Sequence, residues 1–72
     1  MIFTLENTTG ARLKRLRTLK GVTQKEMASA LFITRSCLAN YEIDSRTPDD
    51  NTLKTIADYL GVSVSYLRCE EE

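Results

Sequence analysis

Four residues, Arg35, Ser36, Ala39 and Asn40, fall at i, i+1, i+4 and i+5 of one short stretch and would share one face of a helix. The opposite face carries Leu38 and Tyr41, with Cys37 beside them. A strip with one guanidinium, one hydroxyl and one carboxamide offers directional hydrogen bonds and little bulk, which suits contact with another molecule. It does not suit catalysis. The chain has no histidine, no glycine-rich loop and no convergent pair of carboxylates, which argues against an enzyme. Cys37 and Cys69 form no C-x-x-C pair, and without histidine a zinc site lacks ligands. Both read as reduced thiols, and neither a metal nor a cofactor is expected.

A second group of residues is electrostatic. Arg12, Lys14, Arg15, Arg17, Lys20 and Lys25 lie between positions 11 and 25 with no acid among them. The net charge of the 72 residues is zero, which by itself argues against a nucleic-acid partner, but the distribution is uneven. Residues 1 to 48 carry eight basic and four acidic side chains, and residues 49 to 72 carry two and six. A charge run can be no more than a solvated helix face. Its position beside the polar strip favours a positive field at one end of a small domain.

Both groups need rigid elements to place them, and the stretch from Val22 to Glu42 supplies the pattern. Thr23 and Glu26 form a capping box, and Val22 with Met27 forms the staple around it. Met27, Ala28 and Leu31 make a narrow apolar stripe. Ile33, Thr34 and Leu38 then repeat the grammar of Val22, Thr23 and Met27, so a second helix restarts after about two linking residues. So short a link forces a steep crossing, with Ala28 suited to the closest approach.

The remaining elements follow the same punctuation. A helix from Thr8 or Thr9 to Lys20 turns Leu13 and Leu16 inward and Arg12, Lys14 and Arg15 outward, and Gly21 ends it. Helix four starts at Pro48, Asp49 and Asp50, buries Leu53, Ile56, Ala57 and Leu60, and closes at Gly61. Val62, Ser63 and Leu67 open a short fifth helix that runs toward Glu70, Glu71 and Glu72, where the charges oppose the dipole and the last turn frays. Met1 to Asn7 alternates weakly and reads either as an extended arm or as a lead-in to helix one. The expected division is an arm over 1–8, a domain over 9–69 and an acidic tail over 70–72. The longest apolar run, Ala30 to Ile33, is far short of a membrane span, and the first residues do not form a signal peptide. A cytoplasmic, all-α, five-helix domain is expected.

In order and spacing, L-K-R-L-R (Leu13 to Arg17), G-V-T-Q (Gly21 to Gln24), Ala28, Leu31, L-A-N-Y-E (Leu38 to Glu42), R-T-P (Arg46 to Pro48) and L-x-x-I-A-x-x-L-G-V-S (Leu53 to Ser63) resemble the lambda-repressor-like, Cro/cI or XRE-type helix-turn-helix DNA-binding domains. The resemblance covers roughly residues 11 to 67. It implies a compact fold in which helices two and three form the helix-turn-helix and helix three enters the major groove of a double-stranded DNA operator. It implies base-reading roles for Arg35, Ser36, Ala39 and Asn40, phosphate contacts for Arg17, Gln24, Lys25, Thr34 and Arg46, and a buried pair between Arg17 and Glu42. A transcriptional repressor acting as a homodimer on an inverted repeat is the leading expectation, with Tyr59, Val64 and Tyr66 as candidate dimer contacts. A protein-interaction module, such as an antitoxin with a protein partner, is the alternative, favoured by the zero net charge and the acidic last residues.

Three positions depart from that pattern, one of them Asp50, which stands where an apolar residue is usual at the start of helix four. Phe32 and Asp44 stand where the family usually has glycine. A left-handed Phe32 would cost about 1 kcal/mol or more, so either the corner is reshaped or the ring points outward toward a partner. Asp44 tolerates the left-handed region better.

Overall fold

Three of the four corners in this chain share one pattern, a left-handed residue, a β-branched apolar residue and a hydroxyl cap, and the fold follows from its repetition. The computed structural model describes residues 8–70. It contains α1 (Thr9–Lys20), α2 (Gln24–Leu31), α3 (Arg35–Glu42), α4 (Asp50–Leu60) and α5 (Val64–Leu67), with no strand among the described residues. The arm or lead-in expected over Met1 to Asn7, and the end of the acidic tail at Glu71 and Glu72, lie outside the described residues.

At each repeated corner a helix ends in a left-handed residue: Gly21 (φ 80°), Phe32 (φ 60°) and Gly61 (φ 75°). The amide of the next residue turns back to the carbonyl five positions before it, from Val22 to Arg17 at 3.4 Å, Ile33 to Ala28 at 3.0 Å and Val62 to Ala57 at 3.0 Å. This closure satisfies carbonyls that a helix C-terminus leaves orphaned. One residue later Thr23, Thr34 and Ser63 accept, through their hydroxyls, the amides of Glu26, Cys37 and Tyr66, each at 3.0 Å. At Thr23 the box is complete, because Glu26 also accepts from the Thr23 amide at 2.8 Å. Phe32 therefore does not reshape its corner. It takes the strained conformation and points its ring outward, 95% exposed.

The fourth connection, Ile43 to Asp49, is longer and ends differently. Asp49 caps α4 by accepting from the Thr52 amide at 2.8 Å. Asp50 is the first residue of α4 and pairs with Arg68. At the other end, α5 stops sooner than its sequence pattern suggests. Cys69 adopts φ 63°, and Cys69 and Glu70 donate to the carbonyls of Tyr66 and Ser65 at 3.0 and 2.9 Å. A tight closure thus terminates the helix at Leu67 before it reaches the glutamates.

The largest fully buried side chains are Leu13, Met27, Leu38, Ile56 and Leu67, one from each helix. Each contributes roughly 1.5–3 kcal/mol by leaving water. Around them Ala28 and Ala57, at the start of two of the corner closures, are almost completely buried, and their size permits the steep crossings. The Thr9 hydroxyl donates to the Leu67 carbonyl at 2.6 Å, so the first turn of α1 lies against the last turn of α5.

Candidate nucleic-acid interface

Helix α3 divides sharply into two faces. Leu38 is fully buried and Tyr41 nearly so, whereas Arg35 and Ser36 are exposed and Ala39 and Asn40 half-buried. The four residues of the polar strip therefore share the outer side of α3, as their spacing requires. Hydrogen bonding with the Cys37 thiol, followed by burial, raises the Tyr41 hydroxyl above its ordinary value. It stays a neutral phenol that closes the inner face.

The far end of α3 is held by a buried carboxylate. Glu42 is only 5% exposed. Arg17 donates to it through Nε at 2.6 Å and Nη2 at 3.3 Å, and Gln24 donates through Nε2 at 3.0 Å. The third Arg17 nitrogen, Nη1, donates to the Val22 carbonyl at 2.8 Å. Three helices are tied at one point: α1 through Arg17, α2 through Gln24 and α3 through Glu42. A buried ion pair of this kind is expensive to break, because the remaining partner keeps its charge without compensation. Arg17 thus makes the pair, and each of its three nitrogens already donates to a protein acceptor. A phosphate role for it would compete with those bonds.

The other assigned phosphate residues lie around the strip. Gln24 and Lys25 are the first two residues of α2, half-buried and exposed respectively, at the positive end of that helix. Thr34 caps α3 and is exposed. Arg46 is exposed, and its backbone amide donates to the Asn40 carbonyl at 3.2 Å, so it leaves the end of α3 directly.

The basic run does not form a single face. Arg12, expected outward, is half-buried: its guanidinium lies 4.4 Å from the Tyr66 ring centroid and donates to the Tyr66 carbonyl at 2.7 Å. Lys20 Nζ sits 5.0 Å from the Tyr59 ring centroid. Cation–π attraction of this sort contributes about 0.5–1 kcal/mol at exposed sites and more where water is excluded. With Arg17 paired to Glu42, three of the six cations brace α1 against other elements. Tyr59, Val64 and Tyr66, the candidate dimer contacts, are half-buried, and both tyrosine rings already carry a cation.

One contact has no counterpart in the sequence reading. Gly10, in the first turn of α1, is buried against the end of α3: a Cβ there would lie 2.4 Å from the Tyr41 carbonyl oxygen and 2.7 Å from that of Glu42. Its amide donates to Asp44 Oδ1 at 2.9 Å. A glycine inside a helix costs about 0.5–1 kcal/mol relative to alanine, which is the one signal that could have flagged a close approach here.

A family model described as a helix-turn-helix domain matches residues 10–68. The chain belongs to that family. The helix-turn-helix itself is α2, the Phe32 corner and α3. Among curated relatives, the SPbeta prophage-derived HTH-type transcriptional regulator YonR of Bacillus subtilis is 47% identical over 58 residues, 81% of this chain and 54% of that protein. The chain spans about half the length of several curated relatives that it matches. Among solved structures, SinR, the master regulator for biofilm formation, in complex with DNA, superposes with a TM-score of 0.77 at 31% identity, over 83% of this chain and 97% of that one. The P22 c2 repressor protein in complex with a synthetic operator superposes with a TM-score of 0.84 at 17% identity, over 89% and 97%. At that identity the likeness concerns the fold, which is all-α and lambda-repressor-like. No helix among the described residues of this helix-turn-helix domain is long and apolar enough to cross a membrane.

Proposed function

We propose that this domain is a sequence-specific DNA-binding transcriptional regulator and not an enzyme, acting in the cytoplasm with α3 in the major groove. The observation that carries the reading is the division of α3, a polar outer strip on a helix whose inner face and far end are fixed by Leu38 and the Glu42 network. Rigid presentation matters because hydrogen bonds to base edges discriminate only when their geometry is held. Arg35 has the fork for guanine O6 and N7, and Asn40 the carboxamide for adenine N6 and N7, each worth about 1–3 kcal/mol of discrimination. Ser36 and Ala39 leave room for close approach between them. Gln24, Lys25, Thr34 and Arg46 set position on the phosphates without reading sequence. Arg17 serves this site through the Glu42 pair.

One eight-residue helix reads only a few base pairs, so a useful operator needs a homodimer on an inverted repeat with half-sites about one helical turn apart. Such a complex over a promoter would block it, which makes repression the simplest outcome. Selection of binding sites from random duplex DNA should yield a short inverted repeat, and no enrichment at low salt would remove the reading. Replacing Asn40 with Ala should relax preference at one position per half-site; an equal loss on all sequences would show a backbone contact instead. Affinity should fall steeply with added salt, with a slope set by the phosphates neutralised.

A second reading, a protein-interaction module such as an antitoxin, is favoured by Phe32. Its ring is 95% exposed on a corner that glycine would form without strain, which leaves it open to the apolar surface of a partner. The two readings coexist if the partner covers Phe32 while α3 holds DNA.

A further inference from the structure

We infer that Asp44 is a positioning residue for DNA recognition, tethering the exit of α3 to the start of α1 so that Asn40 and Arg46 are held at fixed reach. The inference rests on the DNA-binding reading above and names a residue outside its contact set.

Three observations meet at this residue. Asp44 adopts φ 61°, a conformation that glycine would take without strain. Its backbone amide donates to the Tyr41 carbonyl at 3.2 Å, which closes the last turn of α3, while its Oδ1 accepts from the Gly10 amide at 2.9 Å, 34 positions earlier in the chain. Gly10 in turn lies so close to the Tyr41 and Glu42 carbonyls that a Cβ could not be accommodated. Asp44 thus occupies one of the orphan amides of α1, beside the Thr8 hydroxyl that caps Ala11 at 3.1 Å. The negative charge stands at the positive end of α1, where it is favoured.

The consequence for DNA lies in what the tether adjoins. The amides of Ser45 and Arg46 both donate to the Asn40 carbonyl, at 2.9 and 3.2 Å. The chain that Asp44 anchors is therefore the chain that leaves Asn40 and carries Arg46. On the other side of the same turn, Glu42 is held by Arg17 and Gln24. Two independent ties, one ionic and one from a carboxylate to a backbone amide, fix the far end of α3 against α1. Losing the second frees the exit loop while the core and the Glu42 pair remain.

Charge alone makes the opposite prediction, which gives the test its sign. Removing an acid near a DNA-binding surface should raise affinity for any duplex. Asp44→Asn removes the charge but keeps an oxygen that can accept from Gly10 and tolerates positive φ. Asp44→Gly removes the charge and the acceptor but relieves the strain. The experiment measures affinity of the full chain and both variants for the selected operator and for a scrambled duplex, alongside melting temperature and hydrogen exchange of the Gly10 amide. We expect Asp44→Asn to bind the operator at least as tightly as wild type, and Asp44→Gly to lose roughly three- to tenfold in operator affinity, the size of one ordinary hydrogen bond, with scrambled binding undiminished. The Gly10 amide should exchange faster in Asp44→Gly only. If both variants gain affinity together, Asp44 acts by charge and the inference is overturned. If operator and scrambled binding fall in parallel with melting temperature, its role is purely structural and the inference is likewise overturned. If wild-type protein enriches no duplex, the DNA-binding reading fails first; if wild type binds and Asp44→Gly binds equally well, only the tether fails.

Discussion

The corner between α2 and α3 and the corner between α4 and α5 have almost the same script, A-x-x-L-F-I-T-x-x-C-L in one and A-x-x-L-G-V-S-x-x-Y-L in the other. Their backbones agree as closely as the letters: left-handed residues at φ 60° and 75°, the same closure onto Ala28 or Ala57, the same hydroxyl cap. What differs is the use to which each is put. The second corner has glycine at its pivot and launches a four-residue helix that ends inside the domain. The first has an exposed phenylalanine at its pivot and launches the eight-residue helix whose outer face is polar. Local grammar therefore builds the corner, and the residues beyond it decide whether it is scaffold or site.

The comparison can be broken most forcefully beyond the first corner. Among the described residues only α3 ends in a buried carboxylate, so Glu42→Ala should destabilise the domain by about 3 kcal/mol, leaving Arg17 without its partner. In a thermal melt that corresponds to a drop on the order of 10–20 °C. Glu42→Gln, which keeps one acceptor oxygen for Arg17, should lose less. A loss below 1 kcal/mol for Glu42→Ala would mean that α3 needs no more anchoring than α5.

The pivots should respond with opposite signs and smaller size. Gly61 has open space around it, so Gly61→Ala meets only backbone strain, partly offset by a stiffer unfolded chain, and should cost about 0.5–1 kcal/mol. Phe32→Gly relieves that strain with no burial to lose, and should stabilise by a similar roughly 0.5–1 kcal/mol in chemical denaturation. Equal signs at the two positions would end the equivalence of the corners.

The smallest effect separates the hydroxyl caps from the carboxylate cap of α4. The Thr52 backbone amide, and then its side chain, hold the Asp49 carboxyl below its ordinary value. A folded-state value lowered in this way stabilises above the unfolded value and loses that contribution as pH falls through the folded one. Melting temperature measured from neutral to acid pH should thus decline more for wild type than for Asp49→Asn, which caps without titrating. Thr34 and Ser63, having no charge to lose, should contribute nothing to that slope.

Much of this was legible in the residue order because corners are local. Thr23, Thr34 and Ser63 each announce a helix within three positions, and the inward residues Leu13, Leu38 and Leu53 follow from period alone. The misreadings concern distance along the chain. Arg12 looks like a solvent-facing cation because nothing near it in sequence shows that Tyr66 lies alongside, and nothing there joins the exposed Lys20 to Tyr59. The early stop of α5 depends on Cys69 accepting a left-handed conformation, which its type does not advertise. Gly10 escapes notice for the same reason, and Asp44, rightly read as a residue that tolerates the left-handed region, keeps its second role hidden until residues 34 apart are brought together. The strip itself, Arg35 to Asn40, was readable as a face.

The bond from the Thr9 hydroxyl to the Leu67 carbonyl has a topological consequence. The chain arrives at and departs from the domain at nearly one point, with α1 and α5 touching. A short linker could therefore join those two places and the chain be reopened at the exposed Thr47 in a circular permutant, with all five helices and their core contacts retained.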